Sequence, residues 1–380
     1  MTRVLTHATI YTGAEKITDG YLRFDQQIQD LGPMSAYQPS AADETVTDLG
    51  GRLVVPGFID VHSHGGYGFD AMDGEADQID QMVTKMTANE GITSYFPTTM
   101  TQSPERIDHA MVGIKAAAAK NPVIQGIHLE GPFISPVYKG AQPEEYITAP
   151  SAKLVDHWNQ LAGGLVKVVT YAPENTNADF EHYCLAHGIT LSAGHTNATR
   201  AQMQQSRASH VTHLYDAQRE FRHREPGVTG HALLEDNIYT EIITDGFHIV
   251  PDMIKLAYRL KGADKMELIT DSMRSKGMPE GVSELGGQKV IVKDKQARLE
   301  DGHLAGSVLT FIDAFKHIIA FTGCTVEDAV KMASVNQARE FGLVKKGRLA
   351  VGMDADLNVL TAQLDLTATY SLGREFHPDK

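Results

Sequence analysis

The chain is 380 residues long, 42% hydrophobic and 22% charged, which suits one large barrel plus a smaller unit and leaves no composition bias toward disorder. Its formal net charge of -14 excludes non-specific binding to nucleic acid or to an anionic membrane surface, so an anionic substrate needs a local cationic pocket. Two cysteines, Cys184 and Cys324, stand far apart with no CxxC pair, and no apolar run approaches the roughly 20 residues of a membrane span. A reducing, cytoplasmic setting is expected.

In chain order, residues 1–54 read as short strands between turns: Val4 to Tyr11, Gly20 to Phe24 and Thr45 to Leu49. From Val54 the pattern changes to apolar strands alternating with helical stretches. Eight strands are expected: Val54 to His62, Ser94 to Thr98, Val123 to Glu130, Val166 to Ala172, Thr190 to His195, His210 to Leu214, Tyr239 to Thr244 and Met266 to Thr270. Helices are expected over Asp77–Glu90, Pro104–Ala119, Ala152–Gln160, Asp179–His187, Thr199–Arg207 and Pro251–Arg259. Eight β/α units point to a (β/α)₈ TIM barrel over residues 55–343. A hairpin within Gln288–Leu299 and closing helices over Val308–Thr322 and Val326–Phe341 follow. The tail from residue 344 to 380 returns to strands that can pair with those of residues 1–54, giving a small β-sandwich from both chain ends.

The strand ends carry the chemistry. In a (β/α)₈ barrel they converge on one mouth, so ligands distant in sequence can meet at one metal centre. His62 and His64, two apart at the end of the first strand, can face the same side. Glu130 ends the third strand before Gly131-Pro132, where a carboxylate can bridge two ions or sit beside imidazoles. His195 and His213 follow the fifth and sixth strands and complete a His/Glu set. His128 is expected to be buried beside these ligands, and His210 to be structural. Asp271 closes the eighth strand, where a carboxylate can take a proton from an attacking water and deliver it to a leaving amine. A helix N-cap is the competing role for that aspartate. His248 in Asp245-Gly-Phe-His and Arg224 in Arg222-His-Arg-Glu-Pro lie in loops near the same mouth, where an arginine fork and an imidazole suit a phosphate.

These stretches resemble the N-acetylglucosamine-6-phosphate deacetylase family of the amidohydrolase superfamily. The resemblance rests on Pro56-Gly-Phe-Ile-Asp-Val-His-Ser-His, His128-Leu-Glu-Gly-Pro-Phe, Ser192-Ala-Gly-His-Thr-Asn-Ala, Thr212-His-Leu, Arg224-Glu-Pro-Gly, Asp245-Gly-Phe-His, Thr270-Asp-Ser-Met, Leu304-Ala-Gly-Ser and Gly352-Met-Asp-Ala-Asp-Leu. It implies a metal-binding barrel with a β-sandwich, usually a homodimer, with Glu130, His195 and His213 as metal ligands and Asp271 as catalytic aspartate. Some members lack the first-strand HxH and hold one metal; His62 and His64 here allow two. The metal can be zinc, iron, manganese or cobalt, because a His/Glu set accepts each. Phosphate recognition carries over to Arg224, supplied by either subunit, and to His248. Sugar contacts carry over to Gln142, Asp216 and Ala217.

Two departures bear on the substrate. The family's His-Leu-Tyr/Phe-Asn-Ala-Met reads His213-Leu-Tyr-Asp216-Ala217-Gln218 here, which adds an acid near the sugar phosphate. A histidine of some members is replaced by Gln142, whose amide can hydrogen-bond an acetyl carbonyl but cannot donate a proton as imidazolium does. The implied reaction is hydrolysis of the acetamide of N-acetylglucosamine 6-phosphate. Its nearest rival is the same chemistry on N-acetylgalactosamine 6-phosphate. A cyclic amidase is more distant, because no lysine stands at a strand end to be carboxylated and bridge two metals. A barrel without activity, acting as a scaffold, conflicts with the complete ligand set.

Overall fold

The computed structural model describes residues 2–40 and 44–379. Eight parallel strands follow one another around a barrel: Phe58–Ser63, Ile92–Thr99, Ile127–Glu130, Val166–Tyr171, Thr190–Ala193, His210–Val211, Tyr239–Ile243 and Met266–Ile269. Nearly all of their residues are buried, as parallel strands covered by helices require, and the polar ones among them include His62, Glu130 and Glu241. No strand ladder joins the eighth strand to the first among the described residues. Backbone bonds just beyond the strand ends close that seam instead: Asp271 N–H donates to His62 O (2.9 Å) and His64 N–H to Ser272 O (2.9 Å). Thr270 Oγ1 adds a 2.7 Å bond to Asp60 Oδ2.

The expected strand over Val54–His62 is two strands. Leu53–Pro56 pairs with Thr2–Tyr11 and Leu357–Leu360 in the terminal sheet, and Phe58–Ser63 opens the barrel. Gly57 separates them because a Cβ there would lie 2.1 Å from Thr93 Oγ1, so only glycine lets the chain pass so close to the second barrel strand. The terminal sheet has eight strands, drawn from both ends of the described chain and branched at Thr2–Tyr11. It has its own buried cluster, including Leu5, Phe24, Val54, Leu357 and Tyr370.

Helices occupy the expected positions: Ala76–Glu90, Pro104–Ala118, Ala152–Leu161, Ala178–Ala186, Arg200–Gln205, Pro251–Lys261 and Phe311–Thr322. Side-chain caps set several starts, among them Ser151, Asn177, Thr199 and Thr310 accepting from backbone N–H groups three residues on. The helix Gly227–Leu234 was not expected; it is buried along most of its length and has almost no polar face to give it periodicity. The final helical segment, Val326–Glu340, contains a π turn over Lys331–Val335. A three-stranded sheet, Gly281–Leu285, Gln288–Lys293 and Gln296–Leu299, extends the expected hairpin by one strand.

A buried ion pair ties the barrel's first and last segments. Lys276 Nζ lies 2.9 Å from Glu90 Oε1, both side chains fully buried, and the same carboxylate accepts from Phe311 N–H (2.8 Å) and Tyr67 O–H (3.0 Å). Lys276→Met alone leaves a buried carboxylate without its cation and is expected to cost about 3–5 kcal/mol, read from the urea midpoint. Adding Glu90→Gln to it should recover part of that loss.

Candidate metal centre and active site

The site is built where the strands stop. His62 lies within the first strand and His64 one residue past its end; Glu130 ends the third, and His195, His213 and Asp271 each stand two residues beyond a strand. These last three have φ of +46°, +30° and +46°, a left-handed conformation that side chains disfavour. Such strain, of order 1–3 kcal/mol per residue, persists only where surrounding bonds fix it. Here they do: Ser135 N–H donates to His195 O (2.8 Å), Asp216 N–H to His213 O (2.9 Å) and Ser307 N–H to Asp271 O (2.8 Å).

Four imidazoles converge on the buried carboxylate of Glu130. Its Oε1 lies 3.1 Å from His195 Nε2, 3.1 Å from His213 Nε2 and 3.4 Å from His62 Nε2; its Oε2 lies 3.2 Å from His64 Nε2. Three of the rings turn Nδ1 outward to an acceptor: His62 to Glu241 Oε2 (2.8 Å), His64 to Thr98 O (3.2 Å) and His195 to Tyr138 O (3.0 Å). An acceptor on Nδ1 keeps a proton there and leaves Nε2 as the atom able to give its lone pair to a metal beside Glu130. His62 Nε2 is buried with no hydrogen-bond partner, and His195 Nε2 stands 3.1 Å from His213 Nε2. Nitrogen and carboxylate atoms so crowded suit a shared cation. Two overlapping sets have ligand atoms within 4.8 Å of one another, His62/His64/Glu130 and Glu130/His195/His213, so the donors fit one or two divalent ions with Glu130 common to both.

Asp271 Oδ1 lies 3.3 Å from His64 Nε2 and 3.5 Å from His62 Nε2. Burial alone would raise the Asp271 and Glu130 carboxyls, but the surrounding imidazoles bring both below their ordinary values. Burial opposes charge on His64 as well, yet Asp271 and Glu130 lift it to about 10. The centre is therefore a negative well that holds positive charge.

The sequence-predicted residues divide around one cavity of about 500 Å³. Glu130, His64, His195, His213 and Asp271 line it, with Gln142, Asp216, Ala217 and His248. Gln142 also has partners within the protein: its Nε2 donates to Glu130 Oε2 (2.8 Å) while its Oε1 accepts from Thr101 N–H (2.8 Å), so its carbonyl holds a loop and its amide steadies the carboxylate. His248 is pinned by Asp245, whose Oδ2 lies 2.7 Å from Nδ1; burial disfavours its charge, but that carboxylate raises it to about 9. Arg224 does not line the cavity and stands exposed on its loop. His128 is buried between Val61 O (3.1 Å) and Thr170 Oγ1 (2.6 Å), and burial drives it down to about 3.

Sequence reasoning gave no role to Lys139 and His303, which also line the cavity, or to Glu241. Lys139 adjoins the Gly-Ala-Gln142 stretch, and His303 directly precedes Leu304-Ala-Gly-Ser, so proximity to motif residues was the available signal.

Residues 53–379 match the amidohydrolase family model. The chain is 40% identical over 376 residues to the N-acetylglucosamine-6-phosphate deacetylase of Bacillus subtilis (strain 168), covering 96% of this chain and 94% of that protein. It is 42% identical over 331 residues to the enzyme of the same name from Lysinibacillus sphaericus, covering 85% of each. Among solved structures, a mutant Mycobacterium smegmatis N-acetyl-D-glucosamine-6-phosphate deacetylase in complex with N-acetyl-D-glucosamine-6-phosphate superposes with a TM-score of 0.92 at 31% identity, over 98% of this chain and 99% of that one.

Because Glu130 alone belongs to both ligand sets, Glu130→Gln should weaken uptake of every ion, whereas His62→Asn combined with His64→Asn should remove at most one of two. Elemental analysis of the purified variants checks this, and a metal-free double histidine variant would refute the division.

Proposed function

Since the chain belongs to the amidohydrolase family, with N-acetylglucosamine-6-phosphate deacetylases among its relatives, we propose that it hydrolyses the acetamide of N-acetyl-D-glucosamine 6-phosphate to D-glucosamine 6-phosphate and acetate. The observation that carries this reading is the placement of Asp271 against the Glu130-centred imidazoles in a cavity of about 500 Å³. Glu130, His195 and His213 would hold one divalent ion, and His62 and His64 with Glu130 would hold any second; zinc, iron, manganese and cobalt all suit these donors. Such an ion supplies Lewis acidity and an activated water at neutral pH.

Asp271, ionised at neutral pH, takes the proton from the attacking water as the C–O bond forms. It returns that proton to the sugar nitrogen as the C–N bond breaks, so amide and water become amine and acetate. The amide of Gln142 keeps Glu130 in place throughout. His248, cationic through Asp245, faces the phosphate from within the cavity. Arg224, exposed on its loop, reaches a phosphate from a second copy of the chain, and we propose a homodimer on that ground. A cytoplasmic location accords with the free cysteines, and no helix among the described residues is long and apolar enough to cross a membrane. We also propose that residues 55–343 form the catalytic unit and residues 1–54 with 344–380 the supporting one.

Asp216 bears on the choice of sugar. Its Oδ2 is buried without a hydrogen-bond partner, and burial, with Asp271 and Asp245 nearby, pushes its carboxyl up to about 8 against the opposing pull of His248. At pH 7 it is then a neutral O–H donor, able to replace the N–H of the asparagine usual in the family. That favours the gluco substrate over its galacto rival, and assaying both sugar phosphates with metal stoichiometry tests the reading directly.

Asp271→Asn should keep the bound metal and lose about 10²–10⁴-fold in kcat; retention of more than about a tenth of the rate would remove Asp271 from the proton path. Asp216 is neutral below its pKa and charged above it. Activity that depends on its proton is therefore complete below about pH 8 and falls as pH rises through that value. In Asp216→Asn the step near pH 8 in kcat/KM should vanish, leaving the fall near pH 9 where His248 loses its charge, while the neutral-pH rate stays within a few-fold of the parent.

A further inference from the structure

Beneath the centre, on the barrel's seventh strand, lies Glu241, fully buried and in contact with both ligand sets. Its Oε2 accepts from the ring of His62 (Nδ1, 2.8 Å) and from the backbone N–H of His213 (3.0 Å). Its own backbone carbonyl accepts from Leu214 N–H (2.9 Å). On its other side, Oε1 lies 3.1 Å from His210 Nε2, and His210 Nδ1 lies 3.0 Å from Glu340 Oε2 on the last barrel helix. A rod of buried side chains thus runs down the barrel from the metal centre to its far end.

His213 gives this arrangement its meaning. The other three imidazoles each have an acceptor on Nδ1, whereas His213 Nδ1 is buried with no partner among the described residues. Its ring is therefore aimed by its backbone, which sits at φ +30°, and Glu241 grips that backbone. One carboxylate fixes the tautomer of His62 in one set and the strand end of His213 in the other.

We propose that Glu241 is a positioning residue for metal binding, orienting His62 and His213 together and so coupling the two ligand sets, with His210 and Glu340 holding it in place. The proposal rests on the metal-binding part of the function above and is independent of the identity of the sugar. Loss of a hydrogen-bonding partner behind a metal ligand typically costs 10–100-fold in affinity. Glutamine keeps the geometry, because its carbonyl can accept both bonds while its amide faces His210.

The experiment is zinc titration of metal-free wild type, Glu241→Ala and Glu241→Gln against a competing chelator, with cobalt absorption spectra of each loaded protein. The alanine variant is expected to bind both ions about 10–100-fold more weakly and to show an altered cobalt spectrum. The glutamine variant should recover most of that loss, as simple core damage would not predict. If the alanine variant does not fold without metal, Glu241→Asp, which withdraws the carboxylate but keeps the charge, takes its place with the same expectation. Unchanged affinity, weakening at one ion only, or a glutamine variant as poor as alanine overturns the proposal. Wild-type protein that takes up no zinc would instead overturn the metal reading itself.

Discussion

A buried carboxylate cannot remain charged in a protein interior without compensation, and in this chain the carboxylate of Glu130 sets the terms for everything around it. Four imidazole nitrogens, supplied by three strand ends, stand within 3.4 Å of its oxygens, and a glutamine amide takes one more position. The strain at His195, His213 and Asp271 is the cost of bringing side chains from short strands to one point. Loop bonds around the mouth offset that cost, so the outer layer of the barrel serves the centre as much as it covers the core.

The barrel is also open where the chemistry is. Its first and eighth strands lack a ladder and meet through bonds made by His62, His64, Asp271 and Ser272, so residues of the site double as the closing stitch. The Lys276–Glu90 pair secures the same seam lower down and draws Phe311, the start of a closing helix, into place. Substitutions at the seam are therefore expected to affect stability and ligand geometry together.

Much of this was legible in the sequence because its signals were strong ones. Apolar runs of strand length gave the barrel and most of the helices between, and the five of them that end in or just before a histidine, glutamate or aspartate gave the six residues at its mouth. Other features depended on tertiary context. The break at Gly57 comes from the approach of Thr93, which no local pattern reveals. The helix Gly227–Leu234 is buried nearly all round and carries no amphipathic period. Gln142 lines the cavity, but the bonds that fix it there, from its amide to Glu130 and from Thr101 N–H to its carbonyl, are tertiary. Glu241 sits inside an apolar strand whose neighbours mask it, and only the structure brings His62, His210 and His213 around it.

The terminal sheet has a consequence for how the molecule is made. Leu53–Pro56, one residue before the strand that carries His62, pairs on one side with Thr2–Tyr11 and on the other with Leu357–Leu360. A nascent chain can lay down its barrel strands in order, but the support behind the first of them is incomplete until residues near 360 have left the ribosome. Pairings across such a span are slow to form and leave strand edges exposed meanwhile. The backing of His62 and His64, which come early among the residues of the site, thus waits on residues near 360.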